Sequence, residues 1–369
     1  MHIKCLDEML EFEFVQIAVG NREKFLFRPS EDEWYRLFRF AQKQSLVGFL
    51  FSGIERLPNE QRPKKDLLLK WYAMAEIIKR ANAKLNKRCA ELTNILKEGG
   101  FNGCVLKGQG VALLYPKPEY RQSGDIDMWV ATSDGRLVSV ASILSYAKRR
   151  GVDVSHVDIK HADMQFFKDA QVEIHFKPSY SYNFFIDHRL TSWFKARLKE
   201  QFENFDYTIG FAYPTIPFNL VYSLLHIYRH LFSEGIGLRQ MLDYYYILTN
   251  STTEERERAY ETICRFGIKG FASAAMFVLQ EVFGLQEEFM LCESSKKSGR
   301  FILNEILVAG NFGKFDTRIK KISKEKRLKR GFVQLTRNFR FARYYPFEVL
   351  LSPIWKCWHY GWRKKHGYL

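Results

Sequence analysis

Apolar positions recur at helical spacing along most of this chain, and one stretch in its first half breaks the rhythm. Residues 5–19 mix apolar and acidic positions in a way compatible with a helix. Ser30-Glu31-Asp32-Glu33 fits a capping box, with Ser30 as N-cap and Glu33 at N3. The helix it opens carries Trp34, Leu37, Phe38, Ala41 and Leu46 on one stripe. Gly53, Pro58 and Pro63 mark a loop, and a long helical pattern over residues 64–98 stops at Gly99-Gly100. The first hundred residues therefore read as helical.

From Gly103 the period changes. Cys104, Val105 and Leu106 form a short apolar run ending in Lys107-Gly108-Gln109-Gly110. A turn or short helix and a Pro-punctuated loop lead to Gly124-Asp125-Ile126-Asp127-Met128-Trp129-Val130. On a strand, Asp125 and Asp127 share one face while Ile126, Met128 and Val130 share the other. Thr132-Ser133-Asp134 can cap a helix over residues 135–150, closed by Gly151. Residues 152–157 and 164–167 are strand candidates. Residues 171–176 alternate cleanly, apolar at 172, 174 and 176, so Glu173 and His175 share a face as the aspartates do. Strands interleaved with helices argue for a small α/β or α+β unit at about 85–180.

Helical spacing returns after residue 185, apart from a hairpin near 205–216. Pro217 fits N1 of a helix reaching Phe232, Gly235 and Gly237 break it, and another runs from Leu238 to Thr249. Ser251 and Glu254 offer a further capping box, with helices at 254–266, 270–283 and 297–308, and Asn311-Phe312-Gly313 as the next break. Ser352-Pro353 can start a last helix that puts Trp355, Trp358 and Trp362 on one face, flanked by Lys356, Arg363, Lys364 and Lys365.

Composition narrows the class. At 369 residues, 46% hydrophobic and 27% charged, the chain has the make-up of a globular protein with ample core, not a disordered one. Its six cysteines are scattered without a CxxC pair, which reads as free thiols in a reducing compartment. Asp7, Glu8, Glu11 and Glu13 interrupt the N-terminal apolar pattern and argue against a signal peptide. No apolar run reaches the ~18 residues of a transmembrane segment. A cytoplasmic protein is the expectation.

The net charge of +16 is unevenly placed. Residues 311–369 hold 16 Lys and Arg against 3 acids, while the other 310 residues hold 41 against 38. The basic C-terminal segment thus points to an anionic partner. Indoles beside lysines suit peripheral contact with the inner face of an anionic membrane, and the alternative is a tail helix packed on its own helical domain. Residues 318–330 read either as a solvated helix face or as a holder of an anionic acceptor such as nucleic acid or a phosphorylated glycan.

Two carboxylates side by side on a strand repel each other, and a cation between them removes that cost. Asp125 and Asp127 are therefore read as metal ligands, against the alternative of two solvated acids at a strand edge. His226 and His230 stand four apart on a helix, without the HExxH pattern or a third ligand that a zinc site asks for. Arg239 and Asp243, also four apart, could form an ion pair.

Leu106-Lys107-Gly108, then Arg121-x-x-Gly124-Asp125-Ile126-Asp127, and later Val172-Glu173-Ile174-His175 resemble the uncharacterised bacterial nucleotidyltransferases of the DNA polymerase β-like superfamily. The segments around His226–His230 and Leu238–Thr249 resemble the helical half of that subfamily, and the likeness covers roughly residues 65–250. It departs at Gln109, where many members carry a small hydroxyl residue, and in the long gap from Gly108 to Asp125.

The resemblance implies an α+β fold, a small mixed-sheet nucleotidyltransferase core at 85–185 between a helical N-terminal region (1–84) and a helical domain (186–310), followed by the basic extension (311–369). It implies an enzyme that moves a nucleoside monophosphate from an NTP to an unknown hydroxyl acceptor, using Mg²⁺, with two ions, on Asp125, Asp127 and Glu173. Glu173 would be the third ligand or the base. Lys107, Gly108, Gln109, Arg121 and Ser123 would contact the nucleotide, and His175, His226, His230, Arg239 and Asp243 the acceptor or phosphate. Two other classes stay open: an inactive nucleotide-binding or regulatory module, and a nucleotide-sugar glycosyltransferase, which would need a more parallel sheet.

Overall fold

The computed structural model describes residues 9–318 and 327–368. Four helices come first: α1 (Leu10–Val19), α2 (Glu31–Gln44), α3 (Val47–Arg56) and α4 (Lys65–Glu98). The Ser30 capping box is present, with the Ser30 hydroxyl accepting from the Glu33 amide and the Glu33 carboxylate accepting from Ser30. Gly53 does not mark a loop; it sits inside α3. A Cβ there would lie 2.9 Å from the Cβ of Ala18, so the glycine lets α3 press against α1. At the far end α4 stops where expected, with Gly100 in the left-handed region at φ +78°.

The α+β section follows: β1 (Phe101–Leu106), the five-residue α5 (Gly108–Ala112), β2 (Ile126–Thr132), α6 (Val140–Arg149), β3 (Val154–Val157), β4 (His161–Met164) and β5 (Val172–His175). Two expectations shift here. Thr132–Asp134 caps no helix: the Thr132 amide donates to the Arg136 carbonyl and closes a turn, and α6 starts later with Ser139 as its cap. The fourth strand begins at His161 rather than at 164. The reason is local: Asp158 Oδ1 accepts from the amides of Lys160 and His161, which makes a tight turn straight after β3.

Helices resume with α7 (Phe184–Glu203), the hairpin strands β6 (Phe205–Asp206) and β7 (Phe211–Ala212), then α8 (Ile216–Ser233), α9 (Leu238–Thr249), α10 (Thr253–Arg265), α11 (Lys269–Phe283) and α12 (Lys296–Ala309). The α10 capping box is Thr252 with Glu255, one residue later than Ser251 with Glu254. Two helices close the chain: α13 (Arg327–Phe339) and α14 (Pro346–Lys365). Ser352-Pro353 does not start α14. Pro346 occupies its first turn and Pro353 lies inside it. The basic run at 318–330 falls largely outside the described residues.

All seven described strands form one mixed sheet in the order β3-β4-β5-β2-β1-β7-β6. β2 pairs parallel to β5 and β1 parallel to β7, while the remaining pairings are antiparallel. Such a sheet is not the mainly parallel one a glycosyltransferase reading requires. Its two faces have different partners. Ile126, Met128, Val130, Val172 and Ile174 pack under α6 and the second half of α4. Trp129 and Ala131 face the other way, and the Trp129 ring stacks on Phe218 of α8 at 5.8 Å. That second core is continuous from Phe12 to Trp355, so helices before and after the sheet share it. Trp129 is fully buried, and truncation to Ala would cost about 3–5 kcal/mol.

Candidate active site

The pairing register decides which side chains meet. Leu106 lies opposite Asp127, and Asp127 opposite Glu173, so the end of β1 and the starts of β2 and β5 coincide at one edge of the sheet. Because side chains alternate, the β2 face that carries Trp129 and Ala131 into the core carries Asp127 and Asp125 at its open end. There α8 and α9 stand away from the sheet and leave a cleft of about 500 Å³. Asp125, Asp127 and Glu173 line it together with Lys107, Gly108 and Arg121, and His226, His230, Arg239 and Asp243 face them from the helices. The cleft brings these ten sequence-expected residues together.

Asp127 is buried at the centre of a polar cluster. Its Oδ1 accepts from Lys107 Nζ at 2.7 Å and from His175 Nε2 at 2.9 Å. The same nitrogen lies 3.4 Å from Glu173 Oε2. Two carboxylates converge on Nε2, so that atom carries the proton. His175 is wholly buried beneath the cleft and does not line it. Burial alone would raise the Asp127 carboxyl, but the Lys107 charge and the His175 bond outweigh it and hold it below the usual range. Glu173 is likewise held low: burial opposes, and the His175 bond and neighbouring cations prevail. Asp125, beside a charged Asp127 and itself part-buried, is pushed up to about 6. Lys107 is desolvated, yet the carboxylates keep it firmly charged.

Lys107 reaches Asp127 from a strained turn. Its backbone has φ 51° and ψ −145°, and Gly108 follows at φ +37°. Gly110 has a different role: a Cβ there would meet the Val105 carbonyl at 2.7 Å. Gln109 points away from the cleft. It is buried against α4, with Nε2 donating to Asn86 Oδ1 at 2.5 Å. Ser123 also lies outside the cleft lining and accepts from Arg121 Nη1 at 2.8 Å.

Arg121 and Asp243 form a buried two-pronged pair, Nε to Oδ1 and Nη2 to Oδ2 at 2.7 Å each, and Tyr115 donates to the same carboxylate at 2.6 Å. The i, i+4 pairing of Arg239 with Asp243 is therefore not formed. Arg239 instead donates from Nη1 to the Gln122 carbonyl at 2.6 Å, and its buried Nε has no hydrogen-bond partner. Its guanidinium lies 5.3 Å from the Phe312 ring. Burial lowers its pKa, and Arg121 nearby adds to the effect. His226 and His230 pack ring to ring at 4.2 Å, and burial drives both below the ordinary histidine range. His230 also faces Glu234 at 3.6 Å.

Several cleft residues went unforeseen. His156, Asp158 and His161 cluster on the β3–β4 hairpin with ligand atoms close enough to share an ion, as do His161, Asp163 and Glu173. The spacing His-x-Asp-x-x-His was visible, but with the turn misplaced His161 had no assigned face. Lys160, Tyr180 and Arg229 line the same cleft.

One of the comparisons with known proteins finds a match. The model of a family described as uncharacterised nucleotidyltransferase matches residues 30–284, more than half of the chain. No curated protein and no solved structure matches it. The matched range contains β1 to β7, the three carboxylates and both cleft-lining helices. The chain belongs to the uncharacterised nucleotidyltransferase family.

Proposed function

We propose that the chain is a divalent-metal-dependent transferase of polymerase β-like type, moving a nucleoside monophosphate from an NTP to a hydroxyl-bearing acceptor. The convergence of Asp125, Asp127 and Glu173 at one end of the cleft carries this reading. Hard carboxylate oxygens without a thiolate among them suit Mg²⁺, and one oxygen each from Asp127 and Glu173 lies within shared reach of an ion. Asp125, Asp127 and Glu173 would hold two ions, which when bound would activate the attacking oxygen and neutralise the leaving pyrophosphate.

The protein's own groups have separable roles. His175 orients Asp127 and Glu173 from below. Arg239, with a buried N–H unpaired at the cleft, is suited to a phosphate oxygen, and Lys160 adds charge. His226, kept neutral by burial, can accept or donate one hydrogen bond to the acceptor. Arg121 is held by Asp243 and shapes the wall instead of reaching substrate. On this reading the protein works in the cytoplasm, where NTPs are at hand. The deciding experiment incubates labelled NTPs and Mg²⁺ with candidate hydroxyl acceptors and compares wild type with Asp127→Asn. Equal transfer by both proteins would sink the assigned site.

A second reading has one observation in its favour: the Lys107 ammonium can neutralise Asp127 without a metal ion. A nucleotide-binding or regulatory module that needs no metal would look like this. It predicts NTP binding in EDTA, with no transfer to any acceptor.

A further inference from the structure

A helix lying on a globular protein turns its apolar stripe inward and its polar residues outward. Helix α14 inverts that rule on its outer face. Phe347, Leu350, Ile354 and Trp358 follow at i, i+3, i+7 and i+11, one stripe, and are exposed by 76, 65, 59 and 41%. Lys365 extends the stripe one further turn pair on, with Lys364 beside it, and both are exposed. Phe184 of α7 packs edge-on against Trp358 at 5.1 Å and is itself half-exposed, as is Phe185 more fully, which widens the patch.

The opposite face of the helix packs on the protein through its first half. Val349, Ser352 and Trp355 are buried, Trp355 stacks on Tyr180 at 4.6 Å, and Glu348 pairs with Arg229. The three-tryptophan face foreseen from the sequence is thus split: Trp355 packs on the protein, while Trp358 joins the outward stripe. Packing and exposure coexist on one helix.

We propose that the outer face of α14 docks on an anionic lipid bilayer, lying in the interface with Phe347, Leu350, Ile354 and Trp358 in the acyl boundary. Charge selects this occupant. Glu348 is the only acid from Pro346 to the chain end, and its carboxylate is consumed by Arg229, so α14 shows the surface no free carboxylate. The segment 311–369 carries 16 basic residues against 3 acids, which attracts anionic headgroups. A large aromatic next to lysines at the end of an apolar stripe matches the headgroup boundary. No described helix is long and apolar enough to cross a membrane, so the contact is with the surface. Docking would set the cleft beside the bilayer, because Tyr180, which lines the cleft, is backed by Trp355 of the same helix. The inference is independent of which reaction the cleft performs.

The test is flotation of the full chain with vesicles of phosphatidylcholine alone and of phosphatidylcholine mixed with phosphatidylglycerol. The wild type should float with the mixed vesicles and not with the neutral ones, and less at high salt. Leu350→Asp/Ile354→Asp alters only exposed side chains, so circular dichroism, melting temperature and NTP binding should stay as in the wild type. Its bound fraction should fall at least about tenfold. Absence of wild-type flotation, or undiminished flotation of the double variant, overturns the proposal. So does a concentration-dependent dimer that the variant abolishes while vesicles are ignored, because a second copy would then cover the face.

Discussion

Asp127 lies beside Glu173 across the parallel pairing of β2 and β5, and Nε2 of His175 stands within 3.4 Å of an oxygen of each. A buried acid and a half-buried one in that position would share a proton if left alone. Lys107 and His175 keep both ionised, and the strain of like charge falls on Asp125 instead. The three carboxylates are therefore unequal, with Asp125 set apart from the ionised pair.

Asp127→Asn and Glu173→Gln should each lower nucleotidyl transfer by roughly 10²–10³-fold in kcat. His175→Gln should also cut activity, by roughly 10–100-fold, because the ring that orients both carboxylates is lost. Isothermal titration of Mn²⁺ into wild type and variants separates the two effects. The Asp127 variant should lose metal binding outright, while the His175 variant should weaken it.

Arg239→Ala should raise the KM for NTP by roughly 10–100-fold, because a charge-assisted hydrogen bond to phosphate is worth about 1.5–3 kcal/mol. Folding should be little affected, since the guanidinium has no carboxylate partner to strand. Steady-state kinetics alongside urea unfolding check both halves. A fall in stability with unchanged KM would assign Arg239 to the scaffold.

Arg121 and Asp243 should behave in the opposite way. Asp243→Asn leaves a buried guanidinium and the Tyr115 hydroxyl without their anion, and should destabilise by about 3–5 kcal/mol. The double variant Arg121→Met/Asp243→Leu should recover much of that loss. Urea midpoints of the single and double variants measure it.

Acid should loosen the C-terminal docking. Burial would raise the Asp316 carboxyl, but hydrogen bonds and charge from Arg318, with Arg340, hold it at about 2 against an ordinary 3.8. A depressed folded value stabilises the fold above the unfolded pKa and loses that contribution as pH falls toward the folded one. The stability gap between wild type and Asp316→Asn should thus be full at pH 6 and begin to narrow below about pH 4. Chemical denaturation across that range reads it directly.

The carboxylate strands were legible because period-two alternation is a local property: Asp125 with Asp127, and Glu173 with His175, could be paired on faces without knowing the sheet. The order of the motifs then supplied the neighbourhood. What stayed hidden was non-local. Arg121 lies 122 residues from Asp243, whereas Arg239 is four away on the same helix, so local spacing favoured the wrong partner. The β3–β4 turn is made by the Asp158 side chain without a glycine or proline, which left His156 and His161 unplaced. Gly53 resembled a loop signal and proved to be a contact between helices. The start of α14 was misjudged because Ser352-Pro353 has the composition of a helix start, and only burial of Ser352 and Val349 reveals an earlier one.

The Arg229–Glu348 bond bears on how far this protein can be dissected. The family match ends at residue 284, and a fragment drawn to that limit would look like a natural unit. Such a fragment would strip the counter-ion from a guanidinium on the cleft wall and uncover the flat side of Tyr180. The extension is thus joined to the matched part, at the cleft wall, by a charge and a ring stack. The matched core without α14 would therefore present a different cleft wall.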